Sequence, residues 1–188
     1  LCRQTINKMN KSILRKEALA KRNALTEHHL AELNESLLAQ FKTLDFSKIK
    51  SLHVFLPIIA KKEPNTFLLI EWLQENHPEI QIIVPKANFD TNLMHNYVFT
   101  KKTKLINNQY HIPEPKDGAE FLETPDLVII PLLAFDKKGY RVGYGKGFYD
   151  RFLQNMSTQK MGLSFFDATE EIIDVHLNDI RLDKCITP

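Results

Sequence analysis

Three short apolar runs limit how this chain can fold: SLHVFLP at 51–57, QIIVP at 81–85 and DLVIIP at 126–131, each closing on a proline. They are rich in β-formers and nearly continuous in hydrophobicity, without the polar alternation of a half-solvated strand. Strands of this kind belong to a sheet covered on both faces. Proline cannot donate to a ladder, so it marks each end. Helical periodicity surrounds these runs. Residues 10–25 (NKSILRKEALAKRNAL) read as a helix, and a second starts at Thr26 as N-cap, with Leu30, Leu33, Leu37, Leu38 and Phe41 at helical spacing. Residues 65–76 (NTFLLIEWLQEN) read as another, capped by Asn65 or Thr66. Strands alternating with helices predict an α/β fold with a mainly parallel central sheet.

Weaker strands flank the Asp90–Thr91–Asn92 turn, YVFT (97–100) being the better of them. The stretch 101–124 is polar, holds Pro113, Pro115 and Gly118, and reads as surface loop, as does 132–147. Phe148, Phe152, Leu153 and Met156 keep one helical face apolar, and 161–166, 175–177 and 181–187 read as strands. In open parallel sheets ligands gather beyond the carboxyl ends of the strands, and the 132–147 loop follows such an end.

A chain of 188 residues suits one domain, here 9–188, with 1–8 (LCRQTINK) as a non-native or disordered leader before Met9. That leader lacks the basic-then-apolar order of a signal peptide. With 25 Lys plus Arg against 23 Asp plus Glu, the chain gives no case for a nucleic-acid surface or an anionic-membrane binder. No apolar run reaches the roughly 18 residues that a membrane span needs. Cys2 and Cys185 form no C-x-x-C, which fits a reducing cytoplasm better than a disulfide framework or a cysteine zinc site. The seven histidines are scattered, and no pair has metal spacing with a third ligand.

Chemistry concentrates in GYRVGYGKGFYDR (139–151), which holds four of the six glycines. The glycines allow close backbone approach to a ligand. Arg141, Lys146 and Arg151 add positive charge, and the loop runs into a helix whose first N–H groups attract anions. Together these describe a phosphate cradle, as against a flexible loop with a solvated basic rim. It is not a standard one. Tyr140 stands where a P-loop needs its first glycine, Gly147 replaces the Ser or Thr after the lysine, and Phe148 breaks G-x-G-x-x-G.

Asp150 opens the following helix, where it serves either the helix dipole or a Mg²⁺ beside bound phosphates. Lys11, Arg15 and Arg22 share one face of the first helix, which by itself suggests a solvated basic face. Glu63 precedes Pro64 just beyond the first strand and is either loop surface or a polar anchor in the cleft.

At PLLAFDKKGYRVGYGKGFYDRFL (131–153) the sequence resembles the 5-formyltetrahydrofolate cyclo-ligase (methenyltetrahydrofolate synthetase) family. Supporting matches are KSILR (11–15), EPNT (63–66), HIPEP (111–115) and NDIRLDKCITP (178–188). The resemblance implies a three-layer α/β/α fold. It also implies an ATP- and Mg²⁺-dependent conversion of 5-formyltetrahydrofolate, polyglutamylated or not, to 5,10-methenyltetrahydrofolate by a cytoplasmic monomer. By position, Lys11 and Arg15 match the family's N-terminal ATP contacts. Arg141, Val142, Gly143, Tyr144, Gly145, Lys146, Gly147, Phe148 and Tyr149 match its phosphate loop, with Lys146 and Arg141 in catalytic roles. Asp150 and Asp179 match the Mg²⁺ carboxylates. Leu56, Glu63, Met94 and Tyr110 match folate-contacting positions, as do residues 144–149 of the loop. Phe148 stands where the family often has Tyr, and Tyr144 where some members have Arg. Alternatives are a non-catalytic folate- or nucleotide-binding relative of the same fold, or another ATP-dependent ligase or kinase.

Overall fold

The computed structural model describes residues 9–188. The expected leader 1–8, with Cys2, lies outside the described residues. Helices α1 (Lys11–Asn23), α2 (Glu27–Phe41), α3 (Thr66–Asn76) and α4 (Phe148–Leu153) accompany ten strands. Six strands form one sheet in the order β10-β9-β6-β1-β2-β3: β10 (Lys184–Ile186), β9 (Gln159–Leu163), β6 (Leu127–Pro131), β1 (Ser51–Val54), β2 (Gln81–Asn88) and β3 (Leu93–Val98). All neighbouring pairs are parallel except the β2–β3 hairpin at one edge.

Each long helix starts where its sequence offers a side-chain acceptor. Asn10 accepts from the Ile13 N–H at 2.9 Å, and Thr26 from the His29 N–H at 3.2 Å. The period-two alternation of the strands divides the core. Leu52, Val54, Ile82, Val84, Leu127, Ile129, Met161 and Leu163 point to one face and pack under Leu37 and Phe41 of α2 and Leu69, Ile70 and Leu73 of α3. Val128 and Ile130 point the other way, onto Phe152 and Leu153 of α4. The result is the expected three-layer α/β/α sandwich. Helix α1 lies apart from both layers, its Leu14 and Ala18 packed on Leu133, Ala134 and Val142.

Several local expectations are corrected. The 132–147 stretch is not simply loop: β7 (Ala134–Phe135) and β8 (Arg141–Val142) pair antiparallel within it. Asp136 makes that turn, its Oδ1 accepting the N–H groups of Lys138 and Tyr140 at 2.9 and 3.0 Å and its Oδ2 that of Ile172 at 3.2 Å. At Gly139 φ is +86°, and a Cβ would meet the Leu182 carbonyl oxygen at 2.5 Å, so only glycine fits. The 101–124 stretch contains the ladder β4 (Leu105–Asn107) with β5 (Pro113–Pro115). Residues 175–177 are not a strand: the segment runs into a turn at 177–178, and Leu177 is fully exposed. Helix α4 ends at Leu153, before Met156. Among the described residues no helix is long and apolar enough to cross a membrane.

Candidate active site

The carboxyl ends of β1, β6 and β9 bring together the segment carrying Glu63, the β7–β8 hairpin with its glycine loop, and the N-terminal end of α1. Three basic residues of α1 face this assembly. The Lys11 ammonium pairs with the Asp179 carboxylate. Arg15 Nε donates to the Gly143 carbonyl at 2.9 Å, and its guanidinium lies against Gly145. Arg22, expected on a solvated face, is 2% exposed. Its Nη2 donates to the Leu132 carbonyl at 2.8 Å and its Nη1 to the Tyr144 hydroxyl at 3.2 Å. Helical spacing placed these three side chains on one face, but only the fold shows that the face is turned inward.

Glu63 is 5% exposed. Its Oε2 accepts the Ile58 N–H and its Oε1 the Tyr144 O–H, both at 2.7 Å. Burial pushes its carboxyl above the usual range, against the pull of those bonds and of Arg22 and Lys61. Lys61 Nζ sits 4.3 Å from the centre of the Tyr144 ring. Tyr144 therefore joins the glycine loop to Glu63, and burial together with the Glu63 charge raises its hydroxyl pKa well above the ordinary value.

At the other end of the loop Arg141 reaches Asp150, Nη2 to Oδ1 at 2.7 Å, and its Nη1 donates to the Ile180 carbonyl. The Ile180 N–H donates back to Asp150 Oδ1 at 3.1 Å, which sets Asp150 beside the residue following Asp179. Burial lowers the Arg141 pKa, while Asp150 and then Asp179 counter it. Burial would raise the Asp179 carboxyl, but Lys11 and the His176 N–H outweigh it and hold it below the usual range. Both hydrogen bonds to Asp179 use Oδ2, and those to Asp150 use Oδ1. Among the described residues, Asp150 Oδ2 and Asp179 Oδ1 take part in no hydrogen bond. Magnesium beside phosphates takes one or two carboxylates, so this donor set fits it. No three His, Cys, Asp or Glu side chains cluster as a metal site among the described residues.

Lys146 is exposed at the tip of the loop, and no described residue pairs with its ammonium. Val142 is buried in the α1 contact, with its side chain in the small core. Gly147 caps α4 with φ +69°. Leu56 is 3% exposed and belongs to the main core, while Met94 on β3 packs beside the α4 cluster. The ring of half-exposed Tyr110 is centred 4.2 Å from that of Phe89, and the Phe89 ring 5.2 Å from that of Phe148. Phe89 was missed in the sequence because a lone aromatic at a hairpin turn carries no pattern. The open hollow of about 610 Å³ behind α1, lined by Leu14, Glu17, Lys21, Phe165, Asp167 and Pro188 among others, contains none of the expected site residues. The Tyr144 hydroxyl meets Glu63 on its Oε1 side.

Tyr149 Oη lies 3.1 Å from Nε2 of His53, whose Nδ1 lies 3.1 Å from Asn96 Oδ1. His53 is fully buried, and burial drops its pKa to about 3 despite the bond to Asn96. Its lowered pKa means that the unfolded chain takes up a proton first on acidification. The stability this neutral histidine supports is complete above about pH 6.5 and is lost as the pH falls toward 3. Between pH 7 and 5 the loss should be ~2 kcal/mol. Urea titrations of wild type and His53→Phe at both pH values should show a shallower pH dependence in the variant. Parallel slopes would contradict the burial of a neutral ring.

Residues 7–188 match the sequence profile of the 5-formyltetrahydrofolate cyclo-ligase family. A 5-formyltetrahydrofolate cyclo-ligase of Mycoplasma pneumoniae is 30% identical over 185 residues, covering 95% of this chain and 98% of the relative. The solution structure of the Aquifex aeolicus 5,10-methenyltetrahydrofolate synthetase superposes with a TM-score of 0.79 at 32% identity, over 95% of this chain and 90% of that one. A 5,10-methenyltetrahydrofolate synthetase structure from Mycoplasma pneumoniae gives 0.73 at 28% identity, over 95% and 98%. Sequence match over nearly the whole chain and agreement of fold thus converge, and the chain belongs to the 5-formyltetrahydrofolate cyclo-ligase family.

Proposed function

We propose that the protein converts 5-formyltetrahydrofolate to 5,10-methenyltetrahydrofolate, consuming ATP with Mg²⁺ and releasing ADP and phosphate. The observation that carries this reading is the Tyr144–Glu63 hydrogen bond. It ties a glycine-rich basic loop to a buried carboxylate, which supports reading the loop as a phosphate site beside a site for N–H donors. The same reading takes the protein as a cytoplasmic monomer without nucleic-acid or membrane partners, in keeping with its near-balanced charge and the free Cys185 thiol.

A formamide carbonyl is a poor electrophile, and its oxygen leaves badly as hydroxide. Transfer of the γ-phosphoryl group to that oxygen breaks the bond to ADP and creates an imidate-like phosphate. Nitrogen 10 then attacks the formyl carbon, loses its proton and expels phosphate as the ring closes. No protein nucleophile is needed; positioning and charge stabilisation suffice. Lys146 and Arg141 would stabilise the transferring phosphoryl group, with Lys11, Arg15 and the backbone of residues 142–149 holding the nucleotide. Asp150 and Asp179 would hold Mg²⁺, which would neutralise phosphate charge. Glu63 would accept the pterin's N–H donors, and the Tyr110–Phe89–Phe148 strip, Met94 and Tyr149 would wall the folate, with Leu56 supporting the Glu63 segment from the core. Near-ultraviolet absorbance of the methenyl product should rise only when ATP and Mg²⁺ are both present. Product formation that persists without nucleotide would sink the mechanism, and folate binding without turnover would favour a non-catalytic relative.

Glu63→Gln should weaken 5-formyltetrahydrofolate by roughly 10- to 100-fold, because the amide nitrogen must face a donor where a carboxylate oxygen accepted one. ATP affinity should change far less. Calorimetric titration with each ligand checks this; equal losses would remove Glu63 from the folate side.

A further inference from the structure

We propose that His53, anchored by Asn96, is a positioning residue that fixes the Tyr149 hydroxyl as a hydrogen-bond acceptor for an N–H donor of the reduced folate. This rests on the cyclo-ligase reading above. His53 occupies the face of β1 that looks onto α4, where the adjoining strands present Ile83, Val128 and Ile130. A fully buried imidazole among such neighbours is costly unless both ring nitrogens are satisfied. Both are: Asn96 on β3 takes Nδ1, and Tyr149 on α4 takes Nε2. With Asn96 Oδ1 as acceptor, the ring proton resides on Nδ1 and Nε2 carries the lone pair. The Tyr149 O–H must then donate inward to Nε2, leaving its oxygen able to receive a hydrogen bond but not to donate one. The reduced pterin and nitrogen 10 present N–H groups, so an oriented acceptor favours them over a carbonyl edge. The T-shaped contact of the Tyr149 and His53 rings, centres 5.8 Å apart, holds the phenol in that direction.

A double-mutant cycle separates this role from simple packing. His53→Phe keeps a ring but removes both nitrogens, and Tyr149→Phe removes the hydroxyl. Each should lower kcat/KM for 5-formyltetrahydrofolate by roughly tenfold, the worth of one good hydrogen bond. The double variant should fall by the same factor, and KM for ATP should hold in all three. Asn96→Ala frees the tautomer and should give a smaller loss, while His53→Gln, which can still accept from Tyr149, should recover part of the activity. These two variants decide the matter if His53→Phe does not fold. Losses that multiply to a hundredfold, a His53→Phe enzyme equal to wild type, or an equal rise in KM for ATP would each overturn the role. Wild-type protein that forms no methenyl product overturns the reaction reading and the role together, whereas active wild type with multiplying losses overturns the role alone.

Discussion

Lys146→Ala should lose roughly 100- to 1000-fold in kcat while melting within a degree or two of wild type, the range found when one preorganised charge contact to a transition state is removed. The stability forecast follows from placement: the side chain is exposed at the loop tip and has no described partner, so its removal opens no cavity and strands no buried group. The kinetic forecast follows from the proposed chemistry, in which a loop cation meets the γ-phosphoryl group only as its charge shifts. Steady-state kinetics beside a thermal melt would check both. A folded variant with wild-type turnover would reduce Lys146 to rim charge and return the glycine loop to a flexible surface element.

Asp150→Asn should cost at least ~100-fold in activity, and the reason can be read from the Mg²⁺ dependence. The sequence left two roles for Asp150, metal ligand and helix-end charge, and the structure adds a third, the partner of a nearly buried Arg141 whose side chain is 7% exposed. A six-residue α4 makes the helix-end role the weakest of them. As a metal ligand, Asp150 changed to Asn should raise the Mg²⁺ concentration needed for half-maximal rate, because a neutral oxygen holds the cation less well. As an anchor for Arg141 alone, it should lower kcat with the Mg²⁺ curve unmoved, leaving the metal to Asp179. Titrating Mg²⁺ at saturating ATP in both proteins distinguishes these outcomes.

Much of this architecture was legible in local patterns. The β1, β2 and β6 segments announced a buried parallel sheet through their apolar runs, and α1, α2 and α3 showed themselves through caps and periodicity. Pro85 did not end its strand as expected, because β2 continues to Asn88 in the antiparallel pairing with β3. The glycine loop was visible because glycine, lysine and arginine are rarely so concentrated without cause, and its length made the family resemblance specific. The short ladders β4–β5 and β7–β8 escaped, since two- and three-residue strands have too little period to register. Residues 175–177 misled for the opposite reason: Val175 and Leu177 flanking His176 mimic a strand's alternation, but the segment runs into a turn with Leu177 exposed.

What the sequence determined by itself, then, was the set of elements and the chemical types available, because propensity, capping and burial pattern act over a few residues. Tertiary structure alone decided which polar groups became buried partners. Arg22 looked like one more cation on a solvated helix face until the fold pressed it against Leu132 and Tyr144. Glu63 could have been loop surface, and became a dry carboxylate only through Ile58 and Tyr144. His53, Asn96 and Tyr149, from three separate elements, show no spacing that links them. Their association is a property of which strand lies beside which, and a buried hydrogen bond between distant residues exists only once the sheet has chosen its order.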